Sequence, residues 1–215
     1  MHNFTAYLIS YGNISMFGAQ VTGPRLGVCA ANLTLIDSAI DSSGFGCRSD
    51  EGLGRGHQSG RCAGSGGAHS GRGGYGGVSY YDDVASNQVV SQCKDHYPDH
   101  DQTASATHFE GSGGASGAES DEAGGAGGGI VRINVLENTV LERSLVLANG
   151  EKGQVSGMGT ASGGGAGGSI SIVTRNLRGD SKVEARGGSG SEGGGGGGSG
   201  GILVVNYLRG YSSAA

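Results

Sequence analysis

The chain has no tryptophan, only two prolines and few aromatic residues, which make up 6% of its 215 residues. Apolar residues account for 35%, below the roughly 45–50% that is usual in globular domains. A compact globule of this length would therefore have a poor core, whereas stacked repeats need only a thin strip of buried side chains in each unit. The sequence also lacks the run of about 18 apolar residues that a transmembrane helix requires, so we expect no membrane span.

Excess charge of one sign is lacking too. The net charge of −5 is mild, and no basic patch points to nucleic acid as a partner. The G-x-S-x-G motif of serine hydrolases is missing. The glycine runs lead into strand-like residues and not into a Lys and a helix, which argues against a phosphate-binding loop. These absences favour a structural protein over an enzyme.

Glycine, in contrast, is abundant, with 49 residues. Three glycine-rich runs each lead directly into a β-branched run: GGAGGGIVRINV from Gly124, GGGAGGSISIV from Gly163 and GGGGGGSGGILVVNY from Gly193. A flexible linker would not end three times in the same kind of strand. The intervals between Ile130, Ile170 and Ile202 fall in the range of about 20–50 residues that is typical of repeat architectures.

Each repeat also holds a second short strand followed by a glycine turn, SLVLANG at 144–150 and SKVEARGG at 181–188. In the first strand of the first repeat, Val131, Ile133 and Val135 alternate with polar residues, which is typical of a half-buried strand. We expect a turn at Glu137–Asn138, between the first and second strands. The sequence therefore predicts an all-β, single-domain parallel β-helix, or solenoid, with glycine-rich, polyglycine-II-like return loops.

The predicted single domain spans residues 1–215. It begins with an N-terminal strand segment at 1–22 and continues into a disulfide-braced glycine return at 44–77. A polar, His- and Asp-rich stretch at 78–110 contains no glycine and is expected to be an inserted loop.

The four cysteines are Cys29, Cys47, Cys62 and Cys93. Their even number is compatible with two disulfides, and three pairings remain open. None of them stands in a C-x-x-C motif, which argues against a zinc ribbon or a thioredoxin-type redox site.

Three N-x-[ST] triplets lie early in the chain, at Asn3, Asn13 and Asn32. Each stands in a strand-like context, where the Asn and the Ser or Thr two residues later share one face. The middle residues, among them Ile14 and Leu33, would then point into the core. We expect covalent N-glycans at these asparagines and a secreted protein, extracellular or at the cell surface.

A cluster of acidic and histidine residues in the polar loop could ligate Zn²⁺ or Ca²⁺. Its members are Asp95, His96, Asp99, His100 and Asp101. Their spacing matches no defined metal motif, so a solvated acidic loop is the favoured interpretation and no cofactor is expected besides the N-glycans.

Two segments carry a resemblance to a known family. They are LIDSAIDSSGFGCRSDEGLGRG at 35–56 and CAGSGGAHSGRGG at 62–74, and the recurring GGGxGGxIxI pattern follows them. Together they resemble large glycine-rich extracellular parallel β-helix proteins of plants and protists. The resemblance implies a structural role on a cell surface or in an extracellular matrix, with no catalytic residues to carry over.

Strand-like runs near both ends of the sequence, NFTAYLIS and ILVVNYL, carry no polar capping repeat. Unpaired strand edges template the addition of another chain. We therefore expect a structural subunit of an extracellular glycoprotein filament, a homopolymer that grows head to tail through uncapped ends and by N-terminal strand addition.

Two alternatives remain open. A carbohydrate-binding or adhesion module of a cell-surface protein would use Tyr75, Tyr80 and Tyr81. A polysaccharide-degrading β-helix enzyme would need convergent carboxylates, and Asp37, Asp41 and Glu51 show no convergent spacing.

Overall fold

The computed structural model describes residues 5–58, 62–77, 110–117, 123–154, 161–192 and 195–210. Within these ranges the chain forms ten β-strands and no helix. The strands are β1 (Thr5–Ile9), β2 (Asn13–Phe17), β3 (Gln20–Thr22), β4 (Arg25–Ile36), β5 (Ala39–Asp41), β6 (Ile130–Glu142), β7 (Leu145–Leu147), β8 (Ser169–Gly179), β9 (Lys182–Glu184) and β10 (Ile202–Gly210).

The strands form two parallel sheets. The large sheet has the order β1-β4-β6-β8-β10, and β2 also pairs with β4. The small sheet has the order β3-β5-β7-β9. From β2 onwards, the chain alternates between the large sheet and the small sheet, so that strands paired within a sheet are never consecutive in sequence.

The prediction of a parallel β-helix, or solenoid, is wrong. Both sheets are open: the large sheet ends at β1 and β10, and the small sheet ends at β3 and β9. The described glycine-rich segments form no strand, so they supply no third sheet that would close each turn. Glycine has no side chain to pack on a pleated surface and weakens strands. Parallel sheets of this kind usually belong to α/β proteins, but no helix covers them in the described part of the chain.

The core lies on the inner faces of the two sheets. In β6, the predicted alternation is confirmed: Val131, Ile133 and Val135 are at most 5% exposed. Leu33, from the third N-x-[ST] triplet, is fully buried, as expected. The small sheet contributes Ile40 and Val146 to the same hydrophobic cluster.

The predicted turn at Glu137–Asn138 is wrong. Strand β6 continues to Glu142, with a register shift against β8 between Asn134 and Asn138. The Asn138 side chain and backbone N–H both donate to Asn32 Oδ1, which keeps this part of β6 attached to β4. The chain turns instead at Arg143, whose φ is 46°.

Positive φ values mark the corner between the two sheets. Gly18, Asp37 and Arg143, which follow β2, β4 and β6, have φ values of 58°, 49° and 46°. A series of serines satisfies the backbone here. The Ser38 N–H donates to Ser144 Oγ at 3.2 Å, and the Ser144 N–H donates to Ser181 Oγ at 2.8 Å. The corner is therefore held by serine side chains from successive turns between the two sheets.

The glycine-rich segments pack against one another in a hydrogen-bonded layer, with segment 163–168 at its centre. Its N–H donors repeat with a period of three. Gly163 and Ala166 donate to the carbonyls of Ala115 and Ser112, respectively. Gly164 and Gly167 donate to those of Gly196 and Ser199, and Gly165 and Gly168 donate to those of Glu151 and Ala148. Three residues per turn is the period of the polyproline II conformation. A β-strand, by comparison, bonds to only two neighbours.

The carbonyl groups of segment 163–168 accept hydrogen bonds from three further segments. Their donors are the N–H groups of Gly67, Gly125, Gly128 and Gly188. Segment 163–168 is thus surrounded by other backbone segments on all sides. A Cβ atom at Gly165 would collide with the Ala126 carbonyl oxygen, so the layer needs glycine for space.

Candidate functional site

The large sheet has two free edges that match each other. At one edge, the Ser10 N–H donates to the Cys29 carbonyl. Because backbone groups alternate in direction along a strand, the N–H and C=O of Tyr7 and Ile9 face away from β4. At the other edge, the Ile202 N–H donates to the Gly168 carbonyl, so the N–H and C=O of Leu203 face away from β8. We call these the β1 edge (residues 5–9) and the β10 edge (residues 202–207).

Apolar rows run across the large sheet from one edge to the other. One row passes through Ala6, Leu26, Val131, Ile170 and Leu203, and the next passes through Leu8, Val28, Ile133, Ile172 and Val205. The internal members are buried, whereas Leu203 at the β10 edge is 47% exposed. The rows therefore stop at the β10 edge because no further described strand covers them.

The small sheet ends differently. Its last strand, β9, carries Lys182 and Glu184, and Glu184 also pairs with Arg186. Charged side chains on an edge strand oppose pairing with another chain. The exposed apolar edge therefore belongs to the large sheet.

A groove of about 610 Å³ lies beside the β10 edge. Its lining includes Leu136, Val173, Arg175 and Tyr207, and the Arg175 guanidinium pairs with Glu137. The groove extends the exposed apolar surface from β6 to β10.

An asparagine ladder crosses the large sheet in its plane. Asn176 Nδ2 donates to Asn138 Oδ1 at 3.0 Å, and Asn138 Nδ2 donates to Asn32 Oδ1 at 2.8 Å. Asn32 Nδ2 then donates to Asn13 Oδ1 at 3.0 Å. Two predicted glycosylation sites, Asn13 and Asn32, are therefore neighbours in one ladder, while Asn3 lies outside the described residues.

Asn138 and Asn176 were missed as partners of the two sequons. Neither stands in an N-x-[ST] triplet that would call attention to it. The sequence does carry one signal for them, because each of these asparagines stands in the second half of a strand that follows a glycine run.

The cysteines do not all behave as predicted. Cys62 is disulfide-bonded, and Cys93 lies outside the described residues. Cys29 and Cys47 are free thiols, in contrast to the predicted two disulfides. Cys29 lies on β4 beside Ile9 and Asn134, whereas Cys47 bonds through its backbone to the glycine layer. Burial, and then the charges of two nearby glutamates, raise the pKa of the Cys47 thiol.

His69 is a buried part of the glycine layer. Its side chain is within 3.0 Å of Ser169 Oγ, and its backbone N–H donates to Ser199 Oγ at 2.8 Å. Burial lowers the pKa of the imidazole. With 2% exposure, this histidine stabilises the layer and offers no access to a substrate.

The other predicted sites are not assembled in the described part of the chain. No group of three or more His, Cys, Asp or Glu side chains there could hold a metal ion. The candidate metal ligands lie outside the described residues, as do Tyr80 and Tyr81. These ligands are Asp95, His96, Asp99, His100 and Asp101.

Two of the three carboxylates considered for an enzyme have structural partners instead. Asp37 pairs with Arg143, and Asp41 Oδ1 accepts the N–H of Ser43. The third tyrosine of the carbohydrate-binding hypothesis, Tyr75, is 47% exposed and stands apart from the groove beside β10.

No protein-family model, curated protein or solved structure matches this chain. The described residues include no helix suited to crossing a membrane.

Proposed function

We propose that this protein is a non-enzymatic structural subunit of an extracellular or cell-surface glycoprotein filament. Copies associate head to tail, with the β10 edge of one copy pairing with the β1 edge of the next. The observation that carries the proposal is the match between these two edges in strand direction, apolar pattern and backbone register.

The backbone register supports parallel pairing. In parallel strands, a residue whose N–H and C=O point to the partner lies opposite a residue whose groups point away. The backbone N–H and C=O of Leu203 point outward from β10, whereas those of Ala6 point inward from β1 towards β4. Placing Leu203 opposite Ala6 of the next copy therefore forms hydrogen bonds with residues 5 and 7.

The same register continues the apolar rows. It sets Leu203 beside Ala6 and Val205 beside Leu8 of the next copy, as the rows already run within one chain. Burial of apolar surface stabilises association by roughly 25 cal/mol per Å² before the cost of ordering. The exposed parts of Leu203 and Tyr207 would supply such surface.

The contact uses two different edges, so it is heterologous. A heterologous contact produces a ring if its rotation closes and an open filament if it does not. Because both edges run parallel in one sheet, repeated pairing extends the sheet in one direction.

Edge variants of the full-length chain, purified from a host that attaches no N-glycans, test the proposal. Leu203→Lys places a charge on the β10 edge, and Ile9→Pro removes an outward N–H from the β1 edge. The matched control is Leu145→Lys, because Leu145 is 39% exposed but lies on β7, an internal strand of the small sheet. Sedimentation velocity and electron microscopy would report the size of the assemblies.

We expect filaments from the unmodified chain and from Leu145→Lys, and monomers from either edge variant alone. An equimolar mixture of the two edge variants should stop at dimers, because each retains one functional edge. Monodisperse monomers of the unmodified chain at high concentration, or filaments from both edge variants, would overturn the proposal.

A further inference from the structure

The asparagine ladder has a direction, and Asn13 is its last member. In every step, the Nδ2 of one asparagine donates to the Oδ1 of the asparagine nearer the β1 side of the sheet. The Oδ1 of Asn13 accepts the last of these bonds, while its Nδ2 has no hydrogen-bond partner among the described residues. The Nδ2 of Asn13 is therefore the next donor in the series, at the free side of β2.

Asn32 occupies a different position in the same ladder. Its Nδ2 donates to Asn13, and its Oδ1 accepts from both the backbone and the side chain of Asn138. Neighbouring strands lie about 4.8 Å apart, which leaves no room for a sugar between them. A glycan on Asn32 would replace one of its two Nδ2 hydrogens in the space between β2 and β6, so it would crowd both neighbouring strands.

Asn13 has room for a glycan. It is exposed on β2, and Ser15 completes its N-x-[ST] triplet on the same exposed face. Attachment at its Nδ2 would break none of the ladder's hydrogen bonds. The glycan would leave the sheet from the side on which the next copy has to dock.

We propose that Asn13, and not Asn32, carries the N-glycan in the folded protein, and that this glycan caps the β1–β2 side against addition of another copy. The inference rests on the proposed head-to-tail association. A bond forms between Asn13 Nδ2 and C1 of an oligosaccharide as the C1–O bond of its lipid-diphosphate donor breaks. The amide nitrogen loses one proton, and the lipid diphosphate leaves.

The cap acts on one edge only. A glycosylated chain still presents its β10 edge, so it ends a filament without preventing one. Each filament then contains one capped chain, and the number-average filament length varies as the inverse of the occupied fraction of Asn13. Glycan occupancy would thus control filament length.

The full-length chain secreted from a glycosylating host provides the test. Ser15→Ala removes the triplet at Asn13 but retains the Asn13 amide in the ladder. Thr34→Ala is the matched control, because it removes only the triplet at Asn32. Glycopeptide mass spectrometry measures occupancy, and electron microscopy measures filament length.

We expect occupied Asn13 and bare Asn32, short assemblies from the unmodified chain and from Thr34→Ala, and long filaments from Ser15→Ala. Occupied Asn32, or bare Asn13, would overturn the assignment of the glycan. Long filaments with Asn13 fully occupied would overturn the cap but leave head-to-tail association intact. Failure of Ser15→Ala to associate would overturn both.

Discussion

Asp37 and Arg143 lie 106 residues apart in the chain but meet at one corner between the two sheets. Arg143 Nε donates to Asp37 Oδ1 and Nη2 donates to Asp37 Oδ2, both at 2.8 Å. The hydrogen bond from Arg143 lowers the pKa of Asp37. Both residues have positive φ, a conformation that costs most side chains about 1–2 kcal/mol.

This strain predicts an order of stability at position 143. Arg143→Ala loses the ion pair but retains the positive φ, whereas Arg143→Gly loses the ion pair and removes the strain. Allowing for the greater entropy of unfolded glycine, we expect Arg143→Gly to be about 0.5 kcal/mol more stable than Arg143→Ala. Urea denaturation measures the difference. A more stable Ala variant would show that the corner is not strained.

The crowding in the glycine layer predicts contrasting effects of two Gly→Ala changes. A Cβ at Gly165 would collide with the Ala126 carbonyl, whereas a Cβ at Gly200 meets nothing within 4 Å. We expect Gly165→Ala to lower the free energy of unfolding by about 1–3 kcal/mol or more. Gly200→Ala should change it by no more than about 0.5 kcal/mol. Equal effects in thermal denaturation would contradict the close packing.

Burial of His69 predicts that stability depends on pH. The folded pKa of His69 lies below the ordinary value of 6.5, so the unfolded chain binds this proton more readily. The contribution of neutral, buried His69 to the free energy of unfolding is complete above pH 6.5 and is lost as the pH falls towards the folded pKa. The slope for this one group is at most about 1.4 kcal/mol per pH unit.

Denaturation at several pH values measures this slope. His69→Gln should remove its share of the loss of stability below pH 6.5, while His57→Gln, at an exposed histidine, should leave the loss unchanged. An unaltered slope in His69→Gln would show that burial of His69 does not cause it.

The serines at the corner predict a cost for leaving a buried donor unpaired. Ser144 Oγ accepts the Ser38 N–H, and both residues are buried. We expect Ser144→Ala to cost about 1–3 kcal/mol, because the Ser38 N–H loses its acceptor. Ser10→Ala, which removes an exposed hydrogen bond to Gly12, should cost no more than about 0.5 kcal/mol. Chemical denaturation compares the two, and similar costs would contradict the role of burial.

Several strands could be predicted because their signal is local. The runs that follow glycine became β6, β8 and β10, which begin at Ile130, Ser169 and Ile202. The alternation of Val131 and Ile133 with polar residues also identified the buried face. The path of the chain between strands could not be predicted in the same way, because glycine has no side chain whose pattern reports its neighbours.

The candidate site was only partly predictable. The strand-like runs at both ends of the sequence indicated the two edges, and the N-x-[ST] triplets indicated Asn13 and Asn32. The ladder that distinguishes Asn13 from Asn32 could not be read from the chain, since Asn138 is 106 residues from Asn32. The free thiols of Cys29 and Cys47 likewise depend on which segments the fold brings together.

The sequence by itself determined where strands begin and which of their faces are apolar, because these follow from the side chains of neighbouring residues. Only the tertiary structure decided that the two sheets stay open and that segment 163–168 is enclosed by other backbone segments. It also decided that Asn13 ends the ladder. These features arise from hydrogen bonds between residues far apart in the chain, which no local pattern encodes.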